Sequence, residues 1–159
     1  MSKTIITLEG NSILASDDLT VVTVVAKMAI DDDGSGPNHG DPDEQPDTSL
    51  HYEGQPLNAD LEPYGVVPES IIGSVPGIWM GCQGFAMYQG KCVAFVAGDK
   101  GPRTKIGEGS IALAKMLGIP SSPTEGGVDC DVVWTFFPGT PATTVLLDGT
   151  TRTYALLHS

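Results

Sequence analysis

The stretch Cys92-Val-Ala-Phe-Val-Ala-Gly-Asp-Lys-Gly-Pro-Arg-Thr-Lys-Ile-Gly-Glu-Gly-Ser-Ile-Ala-Leu-Ala114 sets a strand pattern and a helix pattern on either side of one loop. Residues 92–97 form an apolar run, which reads as a buried strand. That strand hands Asp99 to a loop punctuated by Gly101 and Pro102, and the loop returns Glu108 at the foot of a short helix. Ser110 suits the N-cap of a helix over residues 111–117, stopped by Gly118 and Pro120. A strand end and a helix start are stiff supports, so two carboxylates mounted on them can face one cleft. Burial beside an apolar strand raises the pKa of Asp99, whereas a helix N-terminus favours the ionised form of Glu108. Such divergent surroundings let one carboxyl keep its proton while the other stays charged, as acid–base catalysis requires. On local surroundings alone Asp99 would be the acid and Glu108 the base. Lys100, Arg103 and Lys105 share the loop and bear on both groups, so the roles stay open.

Working outward, residues 77–87 and 92–97 read as a hairpin turning at Gly90. The Val-rich segment 20–30 reads as a long core strand, and 132–137 as another, ended by Pro138 and Gly139. Residues 48–52 and 64–68 are short extended segments, and 143–147 with 151–157 make a terminal hairpin across Asp148 and Gly149. Many strands, long loops and one short helix predict a mainly β fold, a closed or nearly closed barrel that leaves no sheet edge to protect. With no repeat and no linker, residues 1–159 are read as a single domain.

The chain has a net charge of −12, 40% hydrophobic and 18% charged residues. That composition is globular, and the charge speaks against nucleic acid or an anionic membrane as partner while suiting a cationic ligand. No run of about 18 apolar residues exists to span a bilayer. The N-terminal stretch meets Glu9 and Asn11 without a long apolar segment or a small-residue cleavage site, so the expectation is cytoplasmic synthesis. Cys82, Cys92 and Cys130 show no metal or disulfide spacing.

The segment from Asp31 to Asp47 is acidic and broken by Gly and Pro, and its length exceeds an ordinary connection. Asp31-Asp-Asp-Gly resembles the start of a calcium loop, but the twelfth position is Pro42 counted from Asp31, and counting from Asp33 reaches Glu44 only with Ser35 third and Pro37 fifth, so an EF-hand is not expected. His39 and His51 flank Asp41, Asp43 and Asp47 at a spacing that matches no ligand motif, and they are read as hydrogen-bonding groups. No Gly-x-Ser-x-Gly elbow accompanies Ser49 or Ser110, and no phosphate-binding glycine fingerprint occurs. Among aromatics able to stack on sugar rings, Trp79 and Trp134 fall in strand patterns, whereas Tyr52 and Tyr64 lie in polar surroundings and are the better cleft candidates.

In order along the chain, Asp31-x-Asp33-Gly34, Asp47-Thr-Ser-Leu50, Val66-Val-Pro68, Gly98-Asp99 and Gly107-Glu108-x-Ser110 resemble the fungal-type endo-chitosanases of glycoside hydrolase family 75 and their phage and bacterial relatives. The resemblance spans residues 28–138. It implies a six-stranded barrel of double-psi type and inverting endo-hydrolysis of β-1,4-linked glucosamine polymers, with Asp99 and Glu108 catalytic. It further implies Asp31 and Asp33 as cleft acids, with Thr48 and Ser49 near the substrate, and Tyr52 joins them as a candidate sugar contact. Inversion needs the two carboxyls roughly 6.5–9.5 Å apart, with room for water between them. Neither metal nor organic cofactor is called for. The expected partner is a polysaccharide, chitosan first and the glycan of peptidoglycan second. A phage relative would also bring virion association, and a non-catalytic virion or glycan-binding barrel is the alternative function. A calcium-ordered binding module is a third option.

Overall fold

The computed structural model describes residues 2–157. A hairpin of β1 (Ser2–Leu8) and β2 (Asn11–Ser16) leads into β3 (Val22–Asp31). A long loop carries the ribbon β4 (His51–Tyr52) and β5 (Gln55–Pro56), then reaches β6 (Tyr64–Pro68) and α1 (Glu69–Ile72). The hairpin β7 (Cys82–Tyr88) and β8 (Lys91–Gly101) follows, and β9 (Glu108–Ser110) runs directly into α2 (Ile111–Leu117). β10 (Val128–Pro141) and the hairpin β11 (Thr143–Val145) and β12 (Thr151–Thr153) complete the described chain.

Six strands close on themselves in the order β3-β10-β7-β8-β6-β9 and back to β3, forming the expected closed barrel. The β3–β9 and β6–β8 pairings are parallel and the other barrel pairings antiparallel. Parallel neighbours cannot be joined by a tight turn, so the topology itself demands long connections. Along β3, Val22, Val24, Ala26 and Met28 are buried, the period-two pattern of a strand with one face on a core. Phe95, Trp134 and Phe136 meet edge to face in that core, with ring centroids 5.6 and 5.5 Å from Phe95. Phe95 fits only because two neighbouring positions lack side chains: a Cβ on Gly84 or Gly65 would come within 2.2 or 2.6 Å of its ring.

α2 begins and ends where the sequence predicts. The Ser110 Oγ accepts from the Leu113 N–H, and Gly118 takes the left-handed conformation that closes the helix (φ 76°). A second helix, α1, forms where only one was expected. Among the described residues no helix is long and apolar enough to cross a membrane.

Candidate active site

Three barrel strands and the first residues after β3 bring four carboxylates together. β9 lies parallel to β3, with Ala29 opposite Glu108 and Asp31 opposite Ser110, while β8 sets Asp99 opposite Val66 of β6. Asp31, Asp33 and Glu108 line a cleft of about 270 Å³ together with Asp32, Asp41 and Asp43. Asp99 lies within side-chain hydrogen-bonding reach of Asp31 and Asp33, and its charge raises the pKa of Glu108. Acids from β3, β8 and β9, far apart in sequence, thus form one electrostatic unit.

The four acids are not equally supported. Asp99 takes three donors on a single oxygen: the Ser49 N–H (3.1 Å), the Ser49 hydroxyl (3.0 Å) and the Lys100 N–H (3.1 Å) all reach its Oδ1. Burial raises its pKa, and these donors, with the hydrogen bond from Asp31, pull it back toward the ionised form. Asp31 receives the Asp33 N–H at 2.8 Å and the Tyr64 hydroxyl at 3.1 Å, yet burial dominates and pushes it up to about 8. Asp31 thus holds a proton more tightly than a free carboxyl does, within reach of Asp99. Asp33 accepts from the Gln45 N–H at 2.7 Å and is pushed to about 6, again by burial first. Glu108 accepts no side-chain hydrogen bond among the described residues. Burial raises its pKa, Lys105 pulls it down, and Asp99 raises it again. Burial raises both acids, but the three donors on Asp99 and their absence on Glu108 favour the charge on Asp99 and the proton on Glu108.

This order reverses the one suggested by local surroundings. Glu108 keeps its place two residues ahead of the cap at Ser110, but it belongs to strand β9 and, among the described residues, takes no donor from the helix start. Asp99, likewise, is not delivered to a loop: β8 continues through it to Gly101. Both acids stand on strands.

Of the remaining candidates, Ser49 reaches the site as a donor to Asp99. Thr48 is buried and its hydroxyl is consumed locally, donating to the Leu50 carbonyl (2.6 Å) and accepting from the Leu57 N–H (2.9 Å). Tyr52 lines a separate hollow with Glu62 and Arg152, and the Arg152 guanidinium covers its ring at 4.1 Å. Tyr64 is fully buried, not a cleft wall. Its hydroxyl donates toward Asp31 and the Asp33 carbonyl (2.8 Å), tying the core to the first acids of the loop. Lys100 sits over the ring of Trp79 at 4.4 Å, and both line a further hollow with Arg103 and Glu69. Of the three loop cations, Lys105 is the one that acts on Glu108.

Beyond Asp33 the acidic loop builds a second cluster. His39 is held by Glu44 (Nδ1 to Oε1, 3.0 Å) and by Asp60 (Nε2 to Oδ1, 2.9 Å). Asp32 lies beside it, pushed up to about 7 by burial and by the charges of Asp41 and Glu44. Residues with donors close enough to hold a metal ion fall into two sets, Asp32-His39-Glu44 and Asp31-Asp32-Asp33. Glu62, which sequence reasoning passed over, is a buried acid bound by Arg152 (2.6 Å), the Tyr154 hydroxyl (2.8 Å) and the Asn58 N–H (2.6 Å). It pins the terminal hairpin to the loop ahead of β6.

No family model matches the chain, and no curated protein sequence matches it.

Proposed function

We propose that this chain is an endo-acting glycoside hydrolase that cuts β-1,4 bonds of an amino-sugar polymer, chitosan-like in the first instance, by single displacement. The observation that carries the reading is the unequal support of two neighbouring acids: Asp99 with three donors on one oxygen, Glu108 with none. Glu108 gives its proton to the glycosidic oxygen as the C1–O bond breaks. Asp99 takes a proton from the water whose oxygen bonds to C1 on the opposite face. The hydrogen bond from Asp31 favours the charged form of Asp99, and the acidic cleft favours the oxocarbenium-like transition state. The net charge of −12 and the acids lining the cleft suit a polycationic substrate. Lys100, occupied with Trp79, is kept from opposing it.

The anomer released first tests this reading. Proton NMR of chitosan oligomers mixed with the chain should show the α-anomer at new reducing ends before mutarotation. A β-anomer first would overturn single displacement. No release from chitosan, chitin oligomers or peptidoglycan would remove the hydrolase and leave the non-catalytic glycan-binding or virion barrel.

A further inference from the structure

The Asp32-His39-Glu44 cluster has the geometry of a metal centre in its own right, separate from Asp99 and Glu108. The His39 Nδ1 lies 3.0 Å from the Glu44 Oε1 and 3.9 Å from the Asp32 Oδ2, and donor atoms of all three residues fall within 4.8 Å of one another. Ligands about 2.0–2.2 Å from a zinc-sized ion, at tetrahedral or octahedral angles, stand about 2.8–3.6 Å apart. The 3.0 Å side already lies in that range, and the 3.9 Å side stands just outside it. The other ring nitrogen, Nε2, is bonded to the Asp60 carboxylate at 2.9 Å, the arrangement that orients a metal-binding histidine and fixes its tautomer.

An independent observation points into the same cluster. Asp32 is 4% exposed, and among the described residues its Oδ2 has no hydrogen-bond partner. A buried carboxylate oxygen without a donor is costly unless something positive meets it. This oxygen lies 3.9 Å from the His39 Nδ1, and the Asp32 carboxyl feels the charges of Asp41 and Glu44.

We propose that Asp32, His39 and Glu44 bind one divalent transition-metal ion of the zinc class and that the ion fixes the acidic loop beside the cleft. Binding replaces a proton on the His39 Nδ1, so the ion displaces that proton while Nε2–H stays with Asp60. The site requires no glycan substrate, and its test is independent of the hydrolase reading.

The untagged full chain, stripped with chelator, is titrated with zinc chloride in a calorimeter and melted with and without zinc. One ion per chain is expected, with melting raised by about 5 °C or more at a hundredfold excess over Kd. His39→Gln and Asp32→Asn should each weaken binding by at least tenfold while remaining folded by circular dichroism, and Asp60→Asn by about 10–100-fold. Absence of heat and of a melting shift with zinc overturns the site, as does unchanged affinity in both His39→Gln and Asp32→Asn. Binding of calcium that ignores His39→Gln, with none of zinc, also overturns it. If a variant fails to fold, the wild type decides. A cobalt(II) form with visible absorption and a proton released on binding supports the site, and a colourless mixture without release refutes it.

Discussion

Tyr64→Phe deletes one oxygen from the centre of the fold and leaves the ring in place. That hydroxyl stands 3.1 Å from the Asp31 Oδ1 and 2.8 Å from the Asp33 carbonyl, and Tyr64 is fully buried. Both acceptors lose a donor that water cannot readily replace. Asp31 keeps the Asp33 N–H at 2.8 Å, so the loss is partial for the carboxyl. A hydrogen bond is worth about 1 kcal/mol net, and a buried acceptor left short costs about 1–3 kcal/mol, so a total near 2 kcal/mol is expected. In a chain of this size that lowers the melting temperature by about 4–8 °C. Thermal melts at pH 7 with the core intact by near-UV circular dichroism make the measurement. A melting temperature within about 1 °C of wild type would refute the claim that this phenol holds the first acids of the loop.

Stability should fall as pH rises from 5 to 8 in chelator. Asp31, pushed to about 8, Asp33, pushed to about 6, and the raised Asp99 and Glu108 all bind protons more tightly folded than unfolded. Their contribution is full below the unfolded carboxyl range and is lost as pH rises through the folded values. If only ~2 kcal/mol of it survives opposing effects at exposed acids, melting at pH 5 exceeds that at pH 8 by about 4–8 °C, and a rise over the same interval would contradict the burial of these acids. Arg152→Met removes the cation at 2.6 Å from buried Glu62 and should cost about 2–4 kcal/mol, measured by urea unfolding. A cost below about 0.5 kcal/mol would mean that the terminal hairpin is not pinned there. Ser49→Ala takes one of three donors from Asp99, but Ser49 is exposed and water partly substitutes. The loss of about 1 kcal/mol should move the acidic limb of the pH–rate profile up by about 0.5–1 pH unit, and an unmoved limb would separate Asp99 from the rate.

Much of the barrel is legible in the sequence because its strands advertise themselves by burial. The Val-rich segment of β3, the β7–β8 hairpin and the Ser110-capped helix all carry local signals that survive folding. β9 does not. Its three residues, Glu108–Ser110, are strand only because β3 and β6 flank them, and Gly107 approaches the Lys27 carbonyl too closely for a side chain. That tertiary effect is what makes Glu108 a strand residue, two positions ahead of the helix cap at Ser110. β1 and β2 went unread for a similar reason: Ile13 and Ala15 are buried, but Leu14 between them is exposed and blurs the alternation. Among the candidate acids, Asp99, Glu108 and Asp33 are legible beside glycines, and Asp31 by its place at the head of the acidic loop. Tyr64 was legible as an aromatic in polar company but not as a buried anchor, since its partners Asp31 and Asp33 are more than thirty residues away. Glu62 gave no signal, because its counter-ion Arg152 comes from the other end of the chain.

The central claim is that Glu108 donates the proton that breaks a glycosidic bond. Reducing-end release from chitosan by Glu108→Gln, compared with wild type at the same folded concentration, tests it most directly. The account predicts release by wild type and a loss of at least ~100-fold in the variant with its melting temperature retained. Equal release by the two proteins, or none by either, would contradict it.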